Sequence, residues 1–166
     1  MSKKSKAIAL VKQSADTGLK ANVRSKLAEK IGRILASNYV LMLKTQNCHW
    51  NVTGPQFHAL HVMFEEQYTE LFAANDVLAE RIRALGHFTP ATYREFGKLS
   101  FIKEEEFADA QGMLKSLLAD HEKMAGECRM VMEAGEEAGD GATHDLMIER
   151  LDIHEKTAWM IRATLG

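Results

Sequence analysis

Hydrophobic residues recur along this chain at spacings of three, four and seven, which is the pattern of amphipathic helices rather than of strands. The pattern covers four long segments and is interrupted between them by glycine, proline and polar residues. It predicts helix A from Val23 to about His49, helix B from Phe57 to just before Gly86, helix C from Glu104 to just before Gly135, and helix D up to Leu165.

The connections between these helices differ in length. Residues 51–55 form a short loop, in which Pro55 disfavours helical geometry at Gly54 and can itself open helix B. Residues 87–100 form a longer link, which is predicted to carry a short helix around residues 93–96. A long link between the second and third helices permits a crossover connection. The predicted fold is therefore all-α, a ferritin-like four-helix bundle with a long B–C crossover.

Charge distinguishes the N-terminus from the rest of the chain. The net charge is -2, so the protein as a whole is not a basic nucleic-acid binder. Asp16 is nevertheless the single acidic residue in the first 26 positions, which predicts a flexible basic tail over residues 1–20 followed by a bundle domain over residues 21–166. The basic residues of this region are Lys3, Lys4, Lys6, Lys12, Lys20, Arg24 and Lys26.

Cysteine usage and hydropathy indicate a cytoplasmic protein. The 2 cysteines, Cys48 and Cys128, lie far apart without CxxC spacing, which favours buried thiols in a reducing compartment. No apolar segment follows the N-terminal charges, as a secretory signal would require. No run of about 18 apolar residues is present, so no membrane span is expected.

Five residues carry the candidate chemistry. His49 lies at the end of helix A, and the other four lie on helix B. His61 and Glu65 are four residues apart and share one face of the helix, as do Asp76 and Glu80. Two imidazoles and three carboxylates suit a transition metal such as iron or manganese.

Helix geometry prevents one chain from completing this site. His61 and Asp76 are fifteen residues apart, or about 22 Å along a straight helix, so they cannot bind the same ion. Glu65 and Asp76 are only about 20° apart around the helix axis. If helix B packs antiparallel against its own copy, the pairing centre falls near Glu70 and Leu71, and Glu65 of one chain meets Asp76 of the other. A two-fold dimer would then contain two identical sites that both chains share.

Each of these residues also has an ordinary explanation. Carboxylates on a long helix are usually solvated, and His61 could be a polar residue with its hydrogen bonds satisfied. The joint pattern favours a metal site, because the charges recur at matched turns and Glu80-Arg81 stands in an apolar helix. No Glu is followed three residues later by His, which disfavours a di-iron site inside the bundle. Three further histidines are interpreted as core or surface residues rather than ligands: His58, His121 and His154.

Two segments carry a resemblance to a known family. The first extends from His49-Trp50-Asn51-Val52-Thr53-Gly54 through Leu60-His61, Phe64-Glu65, Asp76 and Ala79-Glu80-Arg81-Ile82 to Leu85-Gly86. The second is Asp152-Ile153-His154-Glu155-Lys156 with Trp159-Met160. Together they resemble the signatures of the Dps family of mini-ferritins, and the similarity extends from about Val23 to Leu165.

The resemblance implies a function and an assembly. In that family, the histidines and carboxylates at these positions form ferroxidase centres between subunits of a dodecameric shell, which oxidises Fe(II) with hydrogen peroxide and stores ferric mineral. The implied ligands are His49, His61, Glu65, Asp76 and Glu80. The family more often has Asp where this chain has Glu65, so direct iron binding by Glu65 is left open.

Three further roles are considered on this basis. Trp50 is either a packing residue or an aromatic group that intercepts one-electron oxidants beside the iron. Carboxylates at the start of helix D could line an iron entry pore, although a solvated helix start explains them equally well: Asp140, Asp145 and Glu149. The tail could contact DNA without sequence preference, which would place the protein on the nucleoid, through Lys3, Lys4, Lys6 and Lys12.

Two other functions compete with iron storage. The first is a protein whose main role is to compact DNA in the nucleoid, with secondary iron binding. The second is a purely structural helical bundle that binds no metal. Iron oxidation kinetics separate iron storage from the structural bundle, and DNA retardation by a tail-deleted protein tests the DNA role.

Overall fold

A computed structural model describes residues 15–166 as an all-helical fold. Four long helices form a bundle, and a short fifth helix lies in the link between the second and third long ones, so the predicted fold is confirmed. The tail lysines Lys3, Lys4, Lys6 and Lys12 lie outside the described residues. The helices are α1 (Ala21–Asn51), α2 (Phe57–Ala84), α3 (Tyr93–Leu99), α4 (Ala110–Glu137) and α5 (Gly141–Leu165).

Paired contacts show how the helices run relative to one another. Asn38 of α1 donates to Asn75 of α2 near the middle of both helices, and His49 contacts His61 near one end of the pair. This pairing makes α1 and α2 antiparallel. In the same way, His121 contacts His154, and His144 approaches the carbonyl of Met132, so α4 and α5 are antiparallel.

The core is a continuous layer of aliphatic and aromatic side chains along the axis of the bundle. Each long helix contributes one stripe to it, as the spacing of hydrophobic residues predicts. The largest fully buried side chains include Ile31 and Leu41 of α1, Phe64 and Leu78 of α2, and Leu117 of α4. No helix within residues 15–166 is long and apolar enough to cross a membrane.

The predicted start of the third long helix at Glu104 is wrong. Residues 103–107 have no regular secondary structure, and α4 begins at Ala110. The side chain of Asp109 caps this helix by accepting a hydrogen bond from the backbone N–H of Gly112 at 2.7 Å. Glu105 lies outside the helix because its carboxylate accepts hydrogen bonds from Lys44 and Ser116.

Two basic side chains, Lys44 and Arg81, form ion pairs that tie separate parts of the bundle together. The Lys44 ammonium, 4% exposed, lies 2.6 Å from the Asp120 carboxylate and 3.0 Å from Glu105, which links α1 to α4 and to the segment before α4. The Arg81 guanidinium, at the end of α2, lies 2.6 Å from the Asp140 carboxylate at the start of α5.

A pair of histidines lies in the core between α4 and α5. The Nδ1 atoms of His121 and His154 are 3.0 Å apart, and both side chains are buried. Burial lowers the pKa of His121 from its ordinary value of 6.5 to about 3, and the charge of Arg150 acts in the same direction. The pKa of His154 is also lowered, first by burial and then by His121 and Arg150. Both imidazoles are therefore neutral in the folded protein near neutral pH.

The two cysteines are buried thiols, as predicted. Cys48 lies in the core face of α1 and Cys128 in that of α4, and neither forms a disulfide. Burial raises the pKa of each thiol to about 12. Neither sulfur is therefore a reactive thiolate at neutral pH.

Removing the Arg81 charge should destabilise the fold. In Arg81→Met the carboxylate of Asp140, 5% exposed, loses its ionic partner while it stays buried. We expect a loss of about 3 kcal/mol in the free energy of unfolding, measured by denaturant titration. Arg129→Met is the matched control, because Arg129 and Glu155 are 48% and 54% exposed, and its cost should be below about 1 kcal/mol. Equal losses of stability in the two variants would contradict the conclusion that Asp140 depends on Arg81 as its ionic partner.

The buried histidine pair should make the fold sensitive to acid. A histidine with a lowered pKa binds its proton more readily when the chain is unfolded. The full contribution to stability is therefore present above pH 6.5 and is lost progressively as the pH falls towards the folded pKa of His121, about 3. We expect the free energy of unfolding to fall by about 1.4 kcal/mol per pH unit for each histidine below pH 6. A double variant, His121→Leu with His154→Leu, should lose this slope, and an unchanged slope would refute the prediction.

Candidate metal centre

The end of α1 and the first turns of α2 meet through two histidines. His49 Nδ1 lies 2.8 Å from the backbone carbonyl oxygen of His61, and His61 Nδ1 lies 2.9 Å from the carbonyl oxygen of His49. The two rings stack with their centroids 3.7 Å apart. The carbonyl of His49 is available because it belongs to the last turn of α1, where carbonyls lack a partner within the helix.

These reciprocal hydrogen bonds decide which nitrogen of each ring can bind a metal. A carbonyl oxygen only accepts hydrogen bonds, so each Nδ1 must carry the proton and donate it. Each Nε2 of His49 and His61 then keeps a free lone pair in the neutral imidazole. Histidines that bind metals usually donate their other ring N–H to a carbonyl or carboxylate in this way. The pair is thus fixed in the tautomer that a metal ion requires.

Two aromatic side chains surround this pair. Tyr68 meets the edge of the His49 ring with centroids 5.2 Å apart, and Phe57 stacks on His61 at the same separation. They limit the rotation of the imidazoles. Sequence reasoning did not identify Tyr68, although its spacing of seven residues from His61 places both on one face of α2.

The three predicted carboxylates lie on the exposed side of α2. Glu65, Asp76 and Glu80 are all exposed, and within the described chain none of them forms an ion pair. Because α2 is one uninterrupted helix, His61 and Asp76 lie too far apart along it to bind the same ion. In the single chain described here, residues 15–166 contain no group of three or more His, Cys, Asp or Glu side chains that could hold a metal.

A large apolar side chain separates the two acidic positions. Phe72 is 68% exposed, and on an ideal helix it lies about 20° from Glu65 and about 40° from Asp76. Val62 and Val77 are further exposed apolar residues of this helix. An exposed phenylalanine between unpaired carboxylates is typical of a surface that another protein chain covers.

The other candidate residues differ in their environments. Trp50 is 63% exposed beside His49 and lines a groove with Leu43 and Tyr93. Asp145 and Glu149 are exposed on α5. Asp140, the third carboxylate considered for a pore, is buried in the single chain and is the N-cap of α5.

The Asp140 carboxylate is engaged by contacts within the chain. Its oxygens accept hydrogen bonds from Arg81 at 2.6 Å and from the hydroxyl of Thr143 at 2.6 Å. Although burial opposes ionisation, the hydrogen bonds and the charge of Arg81 together lower the pKa of this carboxyl. Asp140 is therefore a structural anion that is already paired.

Comparison with known proteins finds one family model and several relatives that agree with one another. A family model described as a ferritin-like domain matches residues 28–166. The DNA protection during starvation protein 2 of Bacillus anthracis is 38% identical over 145 residues, which cover 87% of this chain and 99% of that protein. The DNA protection during starvation protein of Brevibacillus brevis is 36% identical over 149 residues, covering 89% of this chain and 99% of that protein.

Solved structures agree with these relatives. A Dps protein from Bacillus brevis superimposes with a TM-score of 0.86 at 35% identity, covering 89% of this chain and 100% of that chain. The Vibrio cholerae O1 protein, described as a member of a broad superfamily of ferritin-like diiron-carboxylate proteins, gives a TM-score of 0.87 at 31% identity, covering 98% of this chain and 100% of that chain. The chain belongs to the Dps family of ferritin-like proteins.

Proposed function

We propose that this protein is an iron-storage mini-ferritin that oxidises Fe(II) at sites shared by two subunits. The observation that carries the proposal is the pair of imidazoles, His49 at the end of α1 and His61 on α2, whose Nδ1 atoms are engaged by carbonyls. The unpaired carboxylates of Asp76 and Glu80 lie too far along α2 for one chain to bring them to this pair. Iron is the substrate, and the set of two neutral nitrogens and several carboxylate oxygens suits both its ferrous and its ferric states.

One antiparallel register of α2 against its copy serves every proposed ligand. The residue numbers of His61 and the partner subunit's Glu80 add up to 141, as do those of Glu65 and the partner subunit's Asp76. A single two-fold packing therefore brings both pairs together, and it does so twice per dimer. The same register covers Phe72, which accounts for an apolar side chain at this exposed position.

The residues divide the chemistry between them. The Nε2 lone pairs of His49 and His61 hold Fe(II) while both imidazoles stay neutral, because each ring keeps its proton on Nδ1 and donates it to a carbonyl. The partner subunit's Asp76 and Glu80 supply negative charge, which stabilises the ferric product more than the ferrous substrate. Glu65 adds a carboxylate that reaches the metal directly or through water. Hydrogen peroxide accepts two electrons, one from each of two ferrous ions, and with two protons becomes two water molecules, so no hydroxyl radical is released.

Membership of the Dps family supports extending this proposal from the dimer to a larger assembly. We propose a dodecameric shell, assembled from two-fold dimers, in which ferric mineral accumulates inside and iron enters beside Asp145 and Glu149. Trp50, beside His49, would serve as a reserve electron donor to one-electron oxidants. The proposed location is the cytoplasm, with binding to the nucleoid if the tail contacts DNA.

Hybrid assemblies test the shared site. His61→Ala and Asp76→Ala should each slow rapid Fe(II) oxidation at least about tenfold, because each removes a metal ligand. If the two inactive variants are dissociated, mixed in equal amounts and reassembled, half of the dimers are mixed. In a mixed dimer one site carries both lesions and the other carries none, so about a quarter of the wild-type activity should return.

Controls make the hybrid experiment decisive. His58→Ala and Glu66→Ala remove exposed residues of the same helix outside the proposed ligand set, and both should keep wild-type oxidation rates. The mass of each assembly in solution confirms that mixing has occurred. Verified hybrids without recovered activity would mean that sites form within one chain or that these residues are not ligands.

A second candidate function is DNA protection, which the names of the Bacillus anthracis and Brevibacillus brevis relatives favour. We propose that the basic residues near the N-terminus bind DNA phosphates without sequence preference. Seven basic residues against Asp16 give each chain about +6 within its first 26 residues, by the ordinary charges of these side chains. The whole chain has a net charge of -2, so the rest of each chain is acidic, and twelve copies would surround an acidic shell with positively charged tails.

Replacing the tail lysines tests the DNA proposal. The variant Lys3→Gln, Lys4→Gln, Lys6→Gln and Lys12→Gln should lose DNA retardation in gels and keep iron oxidation. Binding by the wild type should weaken by roughly 1,000-fold or more between 50 and 200 mM salt if six to ten phosphates are contacted. Unchanged DNA mobility with the wild type at low salt would refute the proposal. Retained binding by the variant would place the contact elsewhere.

A further inference from the structure

The centre of the bundle contains a polar layer that the proposed iron chemistry does not use. Its members are Gln67 of α2, His121 of α4 and His154 of α5, all buried. Both amide atoms of Gln67 and the Nε2 atoms of both histidines are buried and find no hydrogen-bond partner among residues 15–166. Buried polar atoms in native proteins nearly always have a partner, so this concentration of them needs a physical explanation.

The register of the helices places these three residues at one level. His121 and His154 are in direct contact. Between α2 and α5, Glu70 binds Arg150 and Arg81 binds Asp140, so the helices are antiparallel and the residue numbers of contacting pairs add up to 220 and 221. The numbers of Gln67 and His154 also add up to 221. Gln67 is therefore placed at the level of His154 along the bundle axis.

The hydrogen bond between the histidines decides what this layer can bind. With both imidazoles neutral, one Nδ1 must donate to the other across their 3.0 Å separation. The donating ring then has a bare Nε2, which is an acceptor, and the accepting ring carries its proton on Nε2, which is a donor. The Gln67 amide adds one acceptor oxygen and one donor NH₂ group. The layer thus presents two kinds of donor, an imidazole N–H and an amide NH₂, and two kinds of acceptor, a bare imidazole nitrogen and an amide oxygen.

We propose that the centre of each bundle is a built site for water, held between Gln67, His121 and His154. Water has two donors and two acceptors, and it matches this set of groups without any change of charge. Because the two Nδ1 atoms face each other, the two Nε2 atoms point away from each other and bind different waters. One water donates to the bare Nε2 and another accepts from the protonated Nε2, and the Gln67 amide donates to and accepts from waters of the same group. At least two ordered waters therefore join α2, α4 and α5.

The chemistry of the layer excludes a metal ion as the natural occupant. A cation needs lone pairs on every nitrogen it binds, but one Nε2 carries a proton that the histidine hydrogen bond requires. The charged side chain that acts on both imidazoles, Arg150, is itself a cation. A dication here would be buried without a counter-charge, which is strongly unfavourable.

Diffraction from the assembled full-length protein tests this site directly. At high resolution we expect ordered water within about 3.2 Å of Gln67 and of at least one imidazole Nε2 in each subunit. Anomalous scattering from a metal at this position would overturn the proposal. A dry layer, or side chains turned towards protein partners, would also overturn it.

Substitutions test the same site without crystals. Gln67→Leu and His121→Leu should each raise the unfolding equilibrium constant roughly 5- to 150-fold, because each leaves the other members of the layer without their shared partner. The triple variant Gln67→Leu, His121→Leu and His154→Leu replaces the whole layer by apolar groups and should recover most of that loss. Its loss would then be smaller than the product of the single effects.

A matched control isolates the shared water. His144 is half-buried on α5 and approaches the carbonyl of Met132 at 3.2 Å, so it lies outside the layer. The effects of His144→Leu and Gln67→Leu should therefore be independent. If Gln67→Leu and His121→Leu are equally independent of each other, no ligand joins them and the proposal is wrong.

Discussion

The two hydrogen bonds that His49 and His61 exchange through each other's carbonyl groups are the interaction on which the site depends. They connect the end of α1 to the beginning of α2, and they place two imidazoles face to face with their Nε2 lone pairs free. The same antiparallel packing is held near the middle of both helices, where Asn38 donates to the carbonyl of Leu71 at 2.7 Å and to Asn75. The geometry of these two proposed ligands is therefore set by the backbone as well as by side chains.

Much of the fold could be predicted from the spacing of hydrophobic residues, because each long helix has one buried face. The helix ends were less predictable. The start of α4 at Ala110 depends on the Asp109 cap and on Lys44, which binds Glu105 from a distant helix. A pattern read along the chain contains no information on such a partner, so three consecutive glutamates suggested an early helix start.

The candidate site, like the fold, could be predicted from the sequence only in part. The spacing of His61, Glu65, Asp76 and Glu80 was enough to predict that one chain cannot complete a site, because only the rise of a helix enters the argument. The reciprocal contacts of His49 could not be predicted, since backbone carbonyls leave no trace in a sequence. The ion pair of Asp140 with Arg81 could not be predicted for a related reason, since it joins residues 59 positions apart.

The distribution of charge in this chain favours the proposed placement of iron chemistry at a subunit boundary. Di-iron proteins with a site inside the bundle use carboxylates that project inward from several helices. Here the buried central layer contains Gln67, His121 and His154, which are neutral, while the carboxylates of α2 that could balance ferric charge face outward. Two buried ions without anionic ligands would be far more costly than two ions bound at a surface that a second copy covers. The proposed ferroxidase site therefore follows from where this sequence can tolerate charge, and the bundle centre is left to groups that water can satisfy.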